Sequence, residues 1–165
     1  TCSINVKEAA APIHVMLDLQ SRSIRISLEL QAPTDRSQAR SCVTWLARQL
    51  PQNDLTGIDV EADWPRKQGT TNTSFAAICD DPYALVENRN IGLPRRFRIV
   101  VKCDLQRRFN SRRVIVESLE YQLKDFYRRV GQHVTAWVPP APKSRDRTAA
   151  EEIVDQATIG DGDAA

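Results

Sequence analysis

The 165-residue sequence contains no apolar run approaching the ~18 residues that a membrane-spanning helix requires. Residues 1–20 lack the charged-then-apolar pattern of a secretory signal peptide. The four cysteines, Cys2, Cys42, Cys79 and Cys103, form no CxxC pair, and only His14 and His133 could join them. Metal-ligand spacing is therefore absent, and neither a metal nor a cofactor is expected. GxSxG, HExxH, P-loop and GxGxxG signatures are missing as well, so no catalytic residue is assigned. No internal repeat with a solenoid period is visible.

What is present reads as one domain. Hydrophobic residues make up 41% of the chain and charged residues 27%, an ordinary globular balance for a length that can bury one core. The chain opens on Thr1 without a methionine, as a part of a larger protein would. Residues 1–12 are small and mixed and read as an arm or linker. Residues 13–138 form the expected domain, and 139–165 a proline-rich stop followed by an acidic, disordered tail. Cys42 and Cys103 fall on apolar phases of their segments, where a reduced thiol acts as a small hydrophobe. That habit points to the cytoplasm.

Alternation locates the strands. Ile13, Val15, Leu17 and Leu19 point one way and His14, Met16, Asp18 and Gln20 the other. Ile24, Ile26, Leu28 and Leu30 repeat the pattern against Arg25, Ser27, Glu29 and Gln31, so the short Ser21-Arg22 connection implies a hairpin. Pro33 ends that strand. Asp35 stands three residues before Gln38, a capping-box spacing, and opens a helix to about Leu50 with Ala39, Cys42, Val43, Leu46 and Leu50 as its buried stripe. A third strand over about 57–64 sets Ile58, Val60, Ala62 and Trp64 against Asp59, Glu61 and Asp63. A weaker strand covers about 73–79, and Asp80-Asp81-Pro82 starts a short helix to about Glu87. Residues 96–104 give the clearest strand, with Phe97, Ile99, Val101 and Cys103 inward.

A long helix follows from Asn110 or Ser111, with Val116, Leu119, Leu123, Phe126 and Val130 as its apolar stripe. Gly131 ends or loosens it, while Val134 and Trp137 continue its apolar face. The order β-β-α-β-β-short α-β-α implies an α+β two-layer sandwich. Its mainly antiparallel five-stranded sheet is covered on one face by two main helices.

The net charge of +2 conceals a division. Residues 95–129 hold eleven Arg or Lys against four Asp or Glu, whereas 149–165 hold Glu151, Glu152, Asp155, Asp161, Asp163 and no base. Arg95, Arg96, Arg98, Arg107, Arg108, Arg112 and Arg113 lie on one strand, the following turn and the next helix start. Cations at a helix start oppose its dipole, which makes the group a candidate anion-binding site. The competing role is internal pairing with Glu117, Glu120 and the acidic strand Asp59-Glu61-Asp63.

Three functions follow from these features. The first is a non-enzymatic interaction or regulatory module using the basic end and the long helix, with an acidic protein partner. The second is nucleic-acid binding through the same arginines. The third is a divalent-metal enzyme on Asp59, Glu61 and Asp63, with Lys67 or Lys102 nearby. The outer strand positions carry no Phe, Tyr or Trp, so base stacking on the sheet is not expected; Tyr121, Tyr127 and Trp45 are the aromatics left for contact. His14 and His133 have no identifiable partner in the sequence, and the polar loop Arg66–Ser74 is a weak phosphate candidate. The acidic tail could gate the basic patch as a tethered polyanion.

Overall fold

A computed structural model describes residues 2–4, 11–18, 20–65, 69–87, 92–104 and 112–140. The alternating segments form β2 (Ile13–Asp18), β3 (Ser23–Gln31), β4 (Ile58–Asp63), β5 (Thr70–Ser74) and β6 (Arg96–Asp104), joined at one edge by β1 (Cys2–Ile4). The sheet order is β1-β2-β3-β6-β4-β5, and every neighbouring pair is antiparallel. Four of the five strands expected within the domain lie where expected, and the other, β5, lies earlier than the expected 73–79. Part of the segment read as an arm supplies the sixth, because Cys2–Ile4 pairs with Ile13–Val15.

β6 is central. It pairs along all nine residues with β3 and along six with β4, so two long connections must cross it or β4. α1 (Arg36–Leu46) makes the first crossing, from β3 to β4. α2 (Phe75–Asp80) and a 3₁₀ turn (Pro82–Leu85) make the second, from β5 to β6. Period two then sorts the side chains: Ile13, Ile24, Ile26, Leu28, Ile58, Val60, Ala62, Phe97 and Ile99 face the helices and are fully buried. α1 meets them with Ala39, Cys42, Val43 and Leu46, and α2 adds Phe75 and Ile78.

Local capping explains the helix starts. Asp35 Oδ1 accepts the Gln38 N–H at 3.0 Å, at the expected cap of α1. The strand expected over 73–79 is instead the end of β5 followed by α2, because Ser74 Oγ accepts the Ala77 N–H and Phe75 and Ile78 share one helical face. The β2–β3 hairpin turns through Arg22 in the left-handed region at φ 49°. Asp18 Oδ1 holds that turn by accepting the Gln20 and Ser21 N–H groups at 2.9 and 3.3 Å. Leu17, expected inward, is 38% exposed beside this turn. Leu19 lies outside the described residues.

α3 (Arg112–Phe126) packs on the helix face, with burial deepening along its length. Leu119 and Leu123 are half-buried against the core, and Phe126, Val130 and Val134 are buried. Val116, the first residue of the expected stripe, is 54% exposed: the helix reaches the core only farther on. The candidate cap at Asn110 or Ser111 lies outside the described residues. The helix ends in a π turn (Tyr127–Gly131), and the chain beyond residue 133 is irregular, so Trp137 packs from a non-helical segment. Arg129 ties this turn to the loop before β4. Its Nη2 donates to the carbonyls of Thr56 at 2.5 Å and Asp54 at 3.3 Å, and its Nε lies 3.1 Å from Asp54 Oδ1 as a charge contact.

The π turn requires glycine at residue 131, since a Cβ there would stand 2.7 Å from Tyr127 Cδ2. Gly131→Ala should therefore destabilise the fold by about 1–3 kcal/mol through overpacking. In a Tyr127→Ala background the same change should cost little. Urea unfolding of the four proteins of that cycle checks this, and an equal cost in both backgrounds would count against the contact.

Candidate functional site

The wide stripe of charge lies on the face of the sheet turned away from the helices. In register across it, Asp63 stands opposite Arg96, and Glu61 opposite Arg98, which is opposite Glu29. Asp59 stands opposite Val100, which is opposite Ser27, and Lys102 opposite Arg25. Cross-strand neighbours of opposite charge interact directly. Arg96 Nε donates to Asp63 Oδ2 at 2.7 Å and its Nη1 reaches Glu29. Arg98 Nε donates to Glu29 Oε2 at 3.1 Å and also lies 3.7 Å from both Glu61 and Asp63.

Glu61 is the hub of this lattice. Its side chain is 6% exposed, and it takes the guanidinium of Arg25 as well as Arg98 and Lys102. Arg25 and Glu61 sit on β3 and β4, one residue pair to either side of the Ser27–Val100–Asp59 row. Their ion pair therefore passes over β6 at Val100, which is fully buried on an otherwise polar face. The carboxyl of Glu29 responds to two opposed influences. Partial burial pushes it up, and the hydrogen bonds and charges of Arg98 and Arg96 outweigh that and hold it below the usual carboxylate range. The bond from Asp63 raises the Arg96 guanidinium further.

These positions divide the seven candidate arginines. Arg96 and Arg98 belong to the lattice and are neutralised within it. Arg95 is exposed at the start of β6, engaged through its backbone with Asp63 and Ala32. Arg112 and Arg113 are exposed on α3, and Arg113 Nε donates to Glu117 at 2.8 Å. Arg107 and Arg108 lie outside the described residues. The described members do not converge. Arg96 and Arg98 leave the outer face near one end of β6, whereas α3 packs on the inner face, with Cys103 Sγ 2.9 Å from Gln122 Oε1 near the other end. Five residues of strand, roughly 17 Å, separate Arg98 from Cys103.

The acidic triad is equally engaged: Asp59 accepts from Asn72 Nδ2 at 3.0 Å, and Glu61 and Asp63 hold the cations named above. Among the described residues no group of three His, Cys, Asp or Glu side chains could hold a metal ion. Lys67 lies outside the described residues, and Lys102 is spent on Glu61. His14, Met16, Arg25 and Glu29 line a concavity of about 250 Å³ on the outer face. His133 lies against Gln132, 3.2 Å away, beside Asp54 and Arg128. Of the aromatics, Trp45 and Tyr127 are half-buried and Tyr121 is 67% exposed. Cys42, Cys79 and Cys103 are free thiols, and burial pushes Cys42 up to about 11, which leaves it protonated and unreactive near neutral pH.

Compared with family models, curated proteins and solved structures, the chain matches none. Its chemistry must therefore be read from its own surface. Among the described residues no helix is long and apolar enough to cross a membrane. The feature that sequence inspection passed over is α1. Arg36 and Arg40 are four apart, a spacing that was visible and makes them neighbours on α1, and Arg48 follows in the turn after it.

Two expectations follow from the lattice. Glu61→Gln leaves three cations around a neutral amide and should destabilise the fold by about 3 kcal/mol, measured by urea unfolding. The Glu29 carboxyl is depressed in the folded state. Its contribution is therefore complete above the unfolded carboxylate range and lost as pH falls through the folded value. A melting-temperature profile from pH 7 to pH 2 should drop in acid, and less steeply for Arg98→Met; parallel profiles would contradict the assignment.

Proposed function

We propose that this chain is a non-enzymatic interaction module that docks an acidic protein partner through the first turns of α3. The observation that carries the reading is the helix's uneven burial. Phe126 is the one buried residue of α3, while Val116 and Tyr121 stay 54% and 67% exposed behind Arg112 and Arg113. Between Arg112 and Val116 there is no acidic residue. Val116, four and three residues after Arg112 and Arg113, shares their side of the helix, and exposed apolar surface beside arginine suits a protein partner with an acidic margin.

The same arginines are the basis of the nucleic-acid alternative. Binding to a phosphate backbone depends on cations free to release counterions. Arg96 and Arg98 are committed to carboxylates, which leaves the phosphate reading with fewer and more scattered charges. Against the metal-enzyme alternative stand the cations on Glu61 and Asp63 and the Asn72 amide on Asp59. Free thiols at Cys42, Cys79 and Cys103 suit a reducing compartment, and a cytoplasmic location belongs to the reading on that ground.

The test is a pair of titrations, one with an acidic amphipathic helical peptide and one with single- and double-stranded oligonucleotides, each at low and moderate salt. The peptide should bind, and Val116→Asp or Arg112→Glu should weaken it at least tenfold with little change in melting temperature, because both side chains are exposed. Oligonucleotide binding that falls steeply with salt and is lost on Arg112→Ala with Arg113→Ala would replace this reading with the nucleic-acid one.

A further inference from the structure

The outer face of α1 is basic without any acidic residue of its own. Arg36 and Arg40 on α1 and Arg48 in the turn just after it are all exposed. Arg40 is partly used: its Nη2 donates to Glu87 at 3.0 Å and its guanidinium lies 5.4 Å from the centre of the Tyr83 ring. Among the described residues neither Arg36 nor Arg48 has an ion pair. Two concavities, of about 400 Å³ and 270 Å³, meet at Arg40 and run along the helix from Arg36 past Tyr83 to Arg48.

Residues 135–139, which precede the acidic residues in the sequence, pass beside this face. Both the N–H and the hydroxyl of Thr135 donate to Gln49 Oε1, at 3.2 and 3.1 Å, which ties the departing segment to the end of α1. That segment then runs back along the helix, because Trp137 and Pro139 share a third concavity with Cys42, Trp45 and Pro33. Trp45 also lines the arginine groove, so the two grooves abut. Ten residues lie between Pro140 and Glu151, a reach of up to ~36 Å over the eleven Cα steps. α1 itself is only about 16 Å long. Residues 151–163 carry five carboxylates and no base.

We propose that the arginine face of α1 is the docking surface for the chain's own residues 151–163. The tether sets a local concentration on the order of mM, so even weak pairing with Arg36 and Arg48 is populated. The competing arginines, Arg112 and Arg113, lie at the opposite end of α3 from its π turn, roughly 27 Å along the helix from Val130. Contacts of exposed charges are screened once the Debye length shrinks to a few Å in concentrated salt.

The test uses the full chain and ¹⁵N–¹H amide spectra. Glu151→Gln, Glu152→Gln and Asp155→Asn together should move the amides of Arg36–Arg48 and Tyr83, and 0.5 M salt should move the same set in the same direction. Arg36→Glu with Arg48→Glu should abolish the response to the tail substitutions, and adding Glu151→Arg with Glu152→Arg should restore it. Because every substituted α1 side chain is exposed, the remaining spectrum reports that the fold is intact. Shifts confined to Arg112–Glu117 would place the tail on α3 and overturn the proposal. So would spectra that do not respond outside the substituted segment.

Discussion

A single carboxylate, Glu61, conditions the polar half of this molecule. It is almost fully buried on a face that no helix among the described residues covers, and three cations from β3 and β6 gather on it. A buried carboxylate left unpaired is costly, so the register of β6 between β3 and β4 must bring those cations within reach. The same register sets Phe97, Ile99 and Val101 on the opposite face, beneath the helices. Core packing and charge pairing therefore specify one strand alignment. A slip of one residue would bury Arg98 and expose Ile99.

This arrangement changes the meaning of the basic segment. A surplus of arginine over residues 95–129 resembles an anion site when read along the chain, yet part of it balances acids 33 to 75 residues distant. Arg96 and Arg98 hold Asp63 and Glu29; Arg128 and Arg129 hold Asp54 and Asp125. Among the described residues, exposed arginines without an ion pair include Arg112 on α3, Arg36 on α1 and Arg48 just after it. The arginines described on the central strands, by contrast, are engaged with carboxylates of the sheet.

Period-two alternation made the strands legible, because a sheet with one charged face repeats inward and outward residues without interruption. Ile24–Leu30 and Phe97–Val101 show this, and Asp35 marked the start of α1 for an equally local reason. What could not be read was nonlocal. Nothing within residues 96–98 shows that β4 would lie beside them, so the choice between ion pairing and anion binding was open until the strand order was known. The α2 helix was hidden because Phe75–Cys79 is short and apolar enough for either period. Val116 misled because helical spacing identifies a face, and cannot say where along its length that face meets the core.

The claim that the sheet arginines serve the fold and the helix arginines do not is tested most directly by urea unfolding of Arg98→Ala beside Arg112→Ala. Arg98 is part of a largely buried network, and its loss should cost about 2–3 kcal/mol. Arg112 is exposed, and its loss should change stability by less than ~0.5 kcal/mol. Equal and negligible effects would contradict the account, because Arg98 would then be as free for a partner as Arg112.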